Sequence, residues 1–326
     1  MRKVLIIGGG GMVGQKLAHH LGAHGLNGDA DIEVTLFDVG FPERNAAPAA
    51  ARLTGNLTDP AMTARLAALR ADVIFHLAAI VSGESETDFD KGWATNMMSV
   101  WTFLEDLRRE NMASGGTYVP RLVFTSSIAV FGDPYPDKIG DEFLCAPRTS
   151  YGAQKAISEL MIGDVSRKGF IDGIAIRLPT ICVRPGKANL AASSFFSGII
   201  REPLNGKQAI LPVPDTVRHW HASPRSAVGF LTHAAGLDTA RLEGRRALSL
   251  PGVSCTVAEQ IEALRRAAGN DAVALIRQQP DPAIMKIVAG WPRDFDTARA
   301  RALGFRAEDS FDQIVKVYID EDLPNA

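Results

Sequence analysis

The sequence of 326 residues is short of cysteine, with three, and short of net charge, with 35 Lys and Arg against 37 Asp and Glu for a formal charge of -2. So even a balance provides no global field to draw in nucleic acid or an anionic membrane, so a small molecule is the expected partner. Cys145, Cys182 and Cys255 are far apart, odd in number and without a CxxC pair. That excludes a disulfide framework and reads as reduced, mostly buried thiols of a cytoplasmic protein. Long hydrophobic runs are missing too: nothing approaches the roughly 18 apolar residues of a membrane span. The apolar run at 4–7 stops at four glycines, too soon for the core of a signal peptide. No internal repeat or low-complexity tail is present. What remains is an ordinary composition, 46% hydrophobic and 22% charged, long enough for a large sheet domain with an attached lobe.

Residues 4–7 are a continuous β-prone run, followed by glycines and then by Met12, Val13, Leu17 and Leu21 at helical spacing. Further strands are expected at 34–38, 52–54, 73–78, 122–125 and 173–178. Helices are expected between them: at 61–70, opened by Asp59-Pro60, at about 89–110 and at about 151–167. This alternation implies an α/β fold, a doubly wound parallel Rossmann sheet with helices on both faces. After Pro179 the texture changes, with Pro185, Pro203, Pro212, Pro214 and Pro224 interrupting short segments in a loop-rich stretch expected to carry specificity. Residues 227–237 return to helical spacing and 246–250 to a strand that rejoins the main sheet. Short helices are expected near 257–268, 296–303 and 310–320. The expected division is a cofactor-binding Rossmann domain of 1–178 with 226–252, and a smaller, discontinuous substrate-binding lobe of 179–225 with 253–326.

The chemistry begins at Gly8-x-x-Gly11-x-x-Gly14, which overlaps Gly9-x-Gly11-x-x-Gly14 between a strand and a helix. In that setting backbone N–H groups and the helix dipole can hold a pyrophosphate. Asp38 follows Gly14 by 24 residues at the end of the second strand, where a carboxylate can accept from ribose hydroxyls. Val39-Gly40 supplies no immediate cation for a 2′-phosphate, so NAD is favoured over NADP, with Arg44 the cation that could fold back. Tyr151 and Lys155 stand four apart on a helix, on one face, and an ammonium near a phenol lowers the phenol's pKa toward a proton acceptor. Ala156, Ile157, Leu160, Met161 and Val165 are expected to form that helix's buried stripe. Ser126 and Ser127 follow a strand, at the carboxyl edge where open α/β sheets bind ligands. His219 and His221 would share one face of an extended strand, but no third ligand at recognisable spacing accompanies them, so no metal is expected. Met97, Met98 and Trp101 are read as helix core.

In this order the motifs resemble the extended short-chain dehydrogenase/reductase family, the NAD-dependent sugar epimerases and dehydratases, over essentially the full chain. The matching residues are the Gly8/Gly11/Gly14 loop, Asp38, residues 55–59, His76-Leu77-Ala78-Ala79, Asn96, Thr125-Ser126-Ser127, Tyr151-x-x-x-Lys155, Arg177-Leu178-Pro179-Thr180 and Ala302-Leu303-Gly304-Phe305. The resemblance implies that Tyr151 is the general base or acid, that Lys155 binds the nicotinamide ribose, and that Ser127, five residues before Gly132, bonds the reacting oxygen. Ser126 is the alternate, otherwise facing cofactor or substrate. It further implies NAD contacts from Gly8, Gly11, Met12, Val13, Gly14, Asp38, Leu77, Ala78, Ala79, Asn96, Pro179 and Tyr151 itself. Asn56 and Leu57 would flank the adenine, Asn56 standing where many members carry Asp.

Within the family, 177–187, 192–203, 211–226 and 289–292 look most like the members that oxidise D-erythronate, a four-carbon sugar acid, at its C2 hydroxyl with NAD. Such an anion needs a cation, and a bidentate Arg suits it best, which points to Arg184 and Arg218. Two other readings stay open: a nucleotide-sugar 4-epimerase using the same Ser/Tyr/Lys set with tightly held NAD, and a non-catalytic NAD-sensing protein. A 4,6-dehydratase is disfavoured because Ile128-Ala129, not Asp-Glu, follows Ser127. The family also implies a homodimer, joined by the helix near 89–110 and the one holding Tyr151.

Overall fold

Strand β1 (Arg2–Ile7) carries four successive fully buried residues, Val4 to Ile7, because it runs through the middle of a sheet covered on both faces. The computed structural model describes residues 1–43, 46–186 and 192–323. After β1 come α1 (Met12–His24), β2 (Ile32–Asp38), β3 (Ala51–Thr54), α2 (Pro60–Ala67), β4 (Val73–His76), α3 (Ser82–Thr87), α4 (Phe89–Trp93) and α5 (Ser99–Ala113). Then follow β5 (Arg121–Ser127), α6 (Ser150–Arg167) and β6 (Asp172–Leu178). The second half holds β7 (Thr180–Ile181), α7 (Ser194–Leu204), β8 (Ala209–Leu211), β9 (Arg218–Ala222), α8 (Pro224–Gly236) and β10 (Ala247–Ser249). It ends with β11 (Val253–Thr256), α9 (Val257–Val273), β12 (Ile276–Gln278), α10 (Pro282–Ala289), α11 (Ala298–Ala302) and α12 (Phe311–Glu321).

The main sheet has seven parallel strands in the order β10-β6-β5-β4-β1-β2-β3, the doubly wound Rossmann arrangement expected from the alternation. Side chains alternate across β1: Val4 and Ile6 join Leu17, Leu21, Phe230 and Phe305 on one face, while Leu5 and Ile7 join Leu66, Phe103, Leu107 and Ile162 on the other. The order reverses between β1 and β4, so the crevice at their carboxyl ends is the natural ligand site. Strand β10 rejoins the sheet beside β6 as the sequence predicts.

A second apolar cluster, with Phe196, Ile199, Leu211, Val257, Leu264 and Tyr318, lies under α7, α9 and α12. Two small sheets accompany it, β11-β9-β7 and β12-β8. These short strands and α7, which tolerates Pro203 in its last turn, were obscured in the sequence by the density of prolines. Among the described residues no helix is long and apolar enough to cross a membrane.

Three local expectations are corrected. The helix expected near 89–110 is α4 and α5 joined through a π-helical turn, Ala94–Met98, whose wider turn carries the buried Asn96. Met98 and Trp101 are exposed instead of buried core, 57% and 47%, because they lie on the outer face of that helix. The buried stripe of α6 is largely polar: Gln154, Lys155, Ser158 and Glu159 face inward with Ile162 and Val165, and Leu160 is 74% exposed. Glu159 is neutralised there by Arg177 of β6 through two-point hydrogen bonding at 2.7–3.2 Å, with both side chains buried.

Two changes test this packing by urea unfolding. Leu248→Ala in β10 should cost about 2–5 kcal/mol, since Leu248 is fully buried; an unchanged midpoint would mean that β10 does not belong to the core. Glu159→Gln should cost about 3–5 kcal/mol by leaving the Arg177 guanidinium buried without its counter-charge. A Glu159→Leu, Arg177→Met double variant should recover most of that loss; if it is as unstable as the single variant, charge compensation is not the cause.

Candidate active site

The turn after β1 is held by Phe37, whose carbonyl accepts from Gly8 N at 2.8 Å and Gly9 N at 3.0 Å. Gly14 tolerates nothing larger: a Cβ there would stand 2.2 Å from the Gly8 carbonyl oxygen. This close approach brings the first turn of α1 onto the strand end and aims its N-terminus at the crevice. Asp38 accepts from Gly10 N at 2.8 Å and Val39 N at 2.7 Å, tying the end of β2 to the glycine turn. Arg44 lies outside the described residues.

One cavity of about 480 Å³ opens at these strand ends. Its lining joins Gly8, Gly11, Met12, Val13, Gly14, Leu77 and Ala79 to Ser126, Ser127, Tyr151, Lys155, Pro179 and Arg184. Asp38, Asn56, Leu57, Ala78 and Asn96 are not in that lining. Leu57 is buried in the core below the sheet edge, and the Asn56 amide oxygen accepts from Thr58 N. Asn96 acts at one remove, donating to Ile80 O and Gln154 Oε1 and accepting from Ile80 N at 2.9 Å, which fixes the segment after β4 that walls the cavity.

Helix α6 is capped by Thr149, whose hydroxyl accepts from Gly152 N, so Tyr151 sits in the first turn. Successive turns of the same face then present Lys155 and Glu159. Lys155 is buried and donates to Thr125 O at 2.8 Å, with its ammonium 4.5 Å from the Phe124 ring centre and 5.7 Å from that of Tyr151. Burial pushes it down to about 7, opposed by Glu159. The expectation that Lys155 lowers the Tyr151 phenol is corrected: burial dominates and pushes Tyr151 up to about 12, while a hydrogen bond with Ser127 and the charge of Arg184 pull the other way. Ser127 also accepts from Ala129 N at 3.1 Å, and Ser126 donates to Glu159 Oε1 at 2.5 Å. The two serines therefore differ: Ser126 is committed to Glu159, whereas Ser127 stands beside Tyr151 and draws its phenol down.

Arg184 walls the cavity and donates to Ile181 O at 3.0 Å and Ser193 Oγ at 2.7 Å. Arg218 is not brought there, a second correction. It begins β9 opposite β11 and is drawn to Glu259 at 3.2 Å and Ser254 O at 3.1 Å. Strand alternation turns the next residue, His219, to the cavity instead, stacked on Phe196 and packed near Trp291. Thr180, His219, Trp291 and Pro292 are lining residues for which sequence reasoning assigned no cavity role; the period of two through β9 was the available signal for His219. Among the described residues there is no cluster of three or more His, Cys, Asp or Glu that could hold a metal.

Residues 4–221 match the model of the NAD dependent epimerase/dehydratase family. The chain is 43% identical over 323 residues to a D-erythronate dehydrogenase of Cupriavidus necator, covering 98% of each chain. It is 41% identical to a D-erythronate dehydrogenase of Haemophilus influenzae, covering 98% of this chain and all of that one. Its fold superposes with a TM-score of 0.94 on a crystal structure from Agrobacterium tumefaciens described as a nucleoside-diphosphate-sugar epimerase, 53% identical, over 100% of this chain and 95% of that one. By that match and these relatives, the chain is a dehydrogenase that belongs to the NAD dependent epimerase/dehydratase family.

Proposed function

We propose that the protein oxidises the C2 hydroxyl of a short sugar acid with NAD, D-erythronate being the acid to test first. The observation that carries this reading is the convergence of Ser127, Tyr151, Lys155 and the Arg184 guanidinium on one cavity beside the glycine turn. The near-complete coverage of two D-erythronate dehydrogenases supports the choice of acid.

The residues fit a dinucleotide. Gly14, packed directly against the Gly8 backbone, sets the α1 N-terminus at the crevice, and Asp38 stands beside that turn at the end of β2. Gly8, Gly11, Met12, Val13 and Gly14 would hold the pyrophosphate, Asp38 the adenosine ribose, Asn56 and Leu57 the adenine side, and Leu77, Ala78, Ala79, Lys155 and Pro179 the nicotinamide half. Asn96 would position the Ile80 wall. Bound NAD supplies the hydride acceptor. On the protein's side, Arg184 orients the carboxylate, Ser127 holds the C2 oxygen, and the Tyr151 phenolate accepts the hydroxyl proton as the C–H bond breaks. Lys155, fixed by Thr125 O, keeps its place beneath the ring.

We also infer a homodimer in the cytoplasm. The exposed Met98, Trp101 and Leu160 lie on the outer faces of α4–α6, where a second copy would cover them, and all three cysteines are free thiols.

Mixing enzyme, NAD and D-erythronate should accumulate NADH, and Tyr151→Phe should lower turnover by about 10³-fold or more while leaving NADH binding within about twofold. An epimerase would give no net NADH, which is the outcome that favours the name of the Agrobacterium structure; near-normal turnover by Tyr151→Phe would remove the mechanism. The pH profile has a definite sign. Burial holds Tyr151 protonated at neutral pH, and oxidation uses the deprotonated form, so kcat/KM for oxidation should climb from neutral into alkaline pH while the reverse reduction falls. A profile flat across that range would contradict a tyrosine base.

A further inference from the structure

The wall of the cavity contains a hydroxyl whose proton is already committed. His219 Nδ1 lies 2.9 Å from the carbonyl oxygen of Pro292. A carbonyl oxygen only accepts, so Nδ1 must carry the hydrogen. The ring is buried between Phe196 and Trp291, and burial pushes its pKa down to about 4, which keeps it neutral with a single N–H. Its Nε2 is then a lone pair. Thr180 Oγ1 lies 2.7 Å from that lone pair, and two acceptors cannot bond each other, so the Thr180 hydroxyl donates to His219. With its one proton spent, the Thr180 oxygen presents only lone pairs to the cavity that both residues line.

We propose that Thr180, locked by His219 and the Pro292 carbonyl, is a specificity-determining acceptor that reads a hydroxyl of the substrate other than the one being oxidised. This rests on the sugar-acid reading above and deepens it. The wall rejects carboxylate and carbonyl groups, which can only accept, and so complements Arg184, which can only donate. A polyhydroxy acid satisfies both at once, carboxylate toward Arg184 and a distal hydroxyl toward Thr180. A simple 2-hydroxy acid leaves the Thr180 lone pairs desolvated and unpaired, a penalty that selects against it. The geometry also joins the two parts of the chain: Thr180 follows the main sheet directly, whereas His219 and Pro292 come from β9 and from the loop after α10. Seating of that loop decides the tautomer and hence the polarity of the wall. Ser126 repeats the device, its proton committed to Glu159.

The test compares D-erythronate with 2-hydroxybutanoate, which keeps the carboxylate and the C2 hydroxyl and lacks the others. Thr180→Val should shrink the ratio of their kcat/KM values by at least tenfold, and Thr180→Ser should retain the parent ratio. NADH binding measured by fluorescence reports that each variant is folded. A Thr180→Val variant that slows both acids equally, or leaves the ratio as it was, overturns the proposal while the dehydrogenase reading stands. If the parent enzyme reduces NAD with no sugar acid, the dehydrogenase reading itself falls, and this substrate assignment with it. Nitrogen NMR of histidine-labelled full-length protein judges the lock independently of any substrate: His219 should carry its hydrogen on Nδ1 at neutral pH. Hydrogen on Nε2 would make Thr180 free to donate and would overturn the proposal whatever the kinetics.

Discussion

The whole site depends on one helix being pinned by polar contacts. Along α6, Tyr151, Lys155 and Glu159 follow one another at intervals of four, one turn apart on one inward face. Lys155 is fixed to Thr125 O, Glu159 to Ser126 and Arg177, and the neighbouring Gln154 to Asn96. An apolar stripe would hold the helix against the sheet equally well, but it would leave rotation and axial position to packing alone. Hydrogen bonds of 2.5–2.8 Å to the ends of β5 and β6 fix both, and with them the height of the Tyr151 phenol above the crevice. The arrangement requires burying a carboxylate, which is tolerable only because Arg177 meets it with two parallel N–H donors.

That pinning also explains the division between what was legible in the sequence and what was not. The sheet could be read because β1, β4, β5 and β6 are runs of consecutive apolar residues, a pattern that burial on both faces requires. The glycine turn could be read because steric exclusion at Gly14 is a local fact with a local signature. The inward face of α6 was misread since Gln154, Ser158 and Glu159 look like solvent-facing residues until their partners, distant in the chain, are known. Arg218 was misplaced for a similar reason: its charge suggests a role, but strand alternation through β9 decides which of Arg218 and His219 faces the cavity. The small sheets β11-β9-β7 and β12-β8 are two to five residues per strand and bounded by prolines, too short to establish a period.

Electrostatics in the cavity is local throughout. With a formal charge of -2 the chain exerts no long-range pull on an anion, and what the cavity presents is local: the Arg184 side chain in its wall and hydroxyls whose direction is set from behind. Ser127, Ser126 and Thr180 illustrate three settings of the same group: beside the phenol, committed to Glu159, and committed to His219. Each buried partner decides whether a hydroxyl offers a proton or a lone pair.

The central claim is direct hydride transfer from C2 of the acid to NAD, and D-erythronate deuterated at C2 tests it most directly. The account predicts that every NADH formed carries the deuterium and that the acid is released as its 2-keto product. Deuterium retained in the acid, or lost to water with unlabelled NADH, would contradict it.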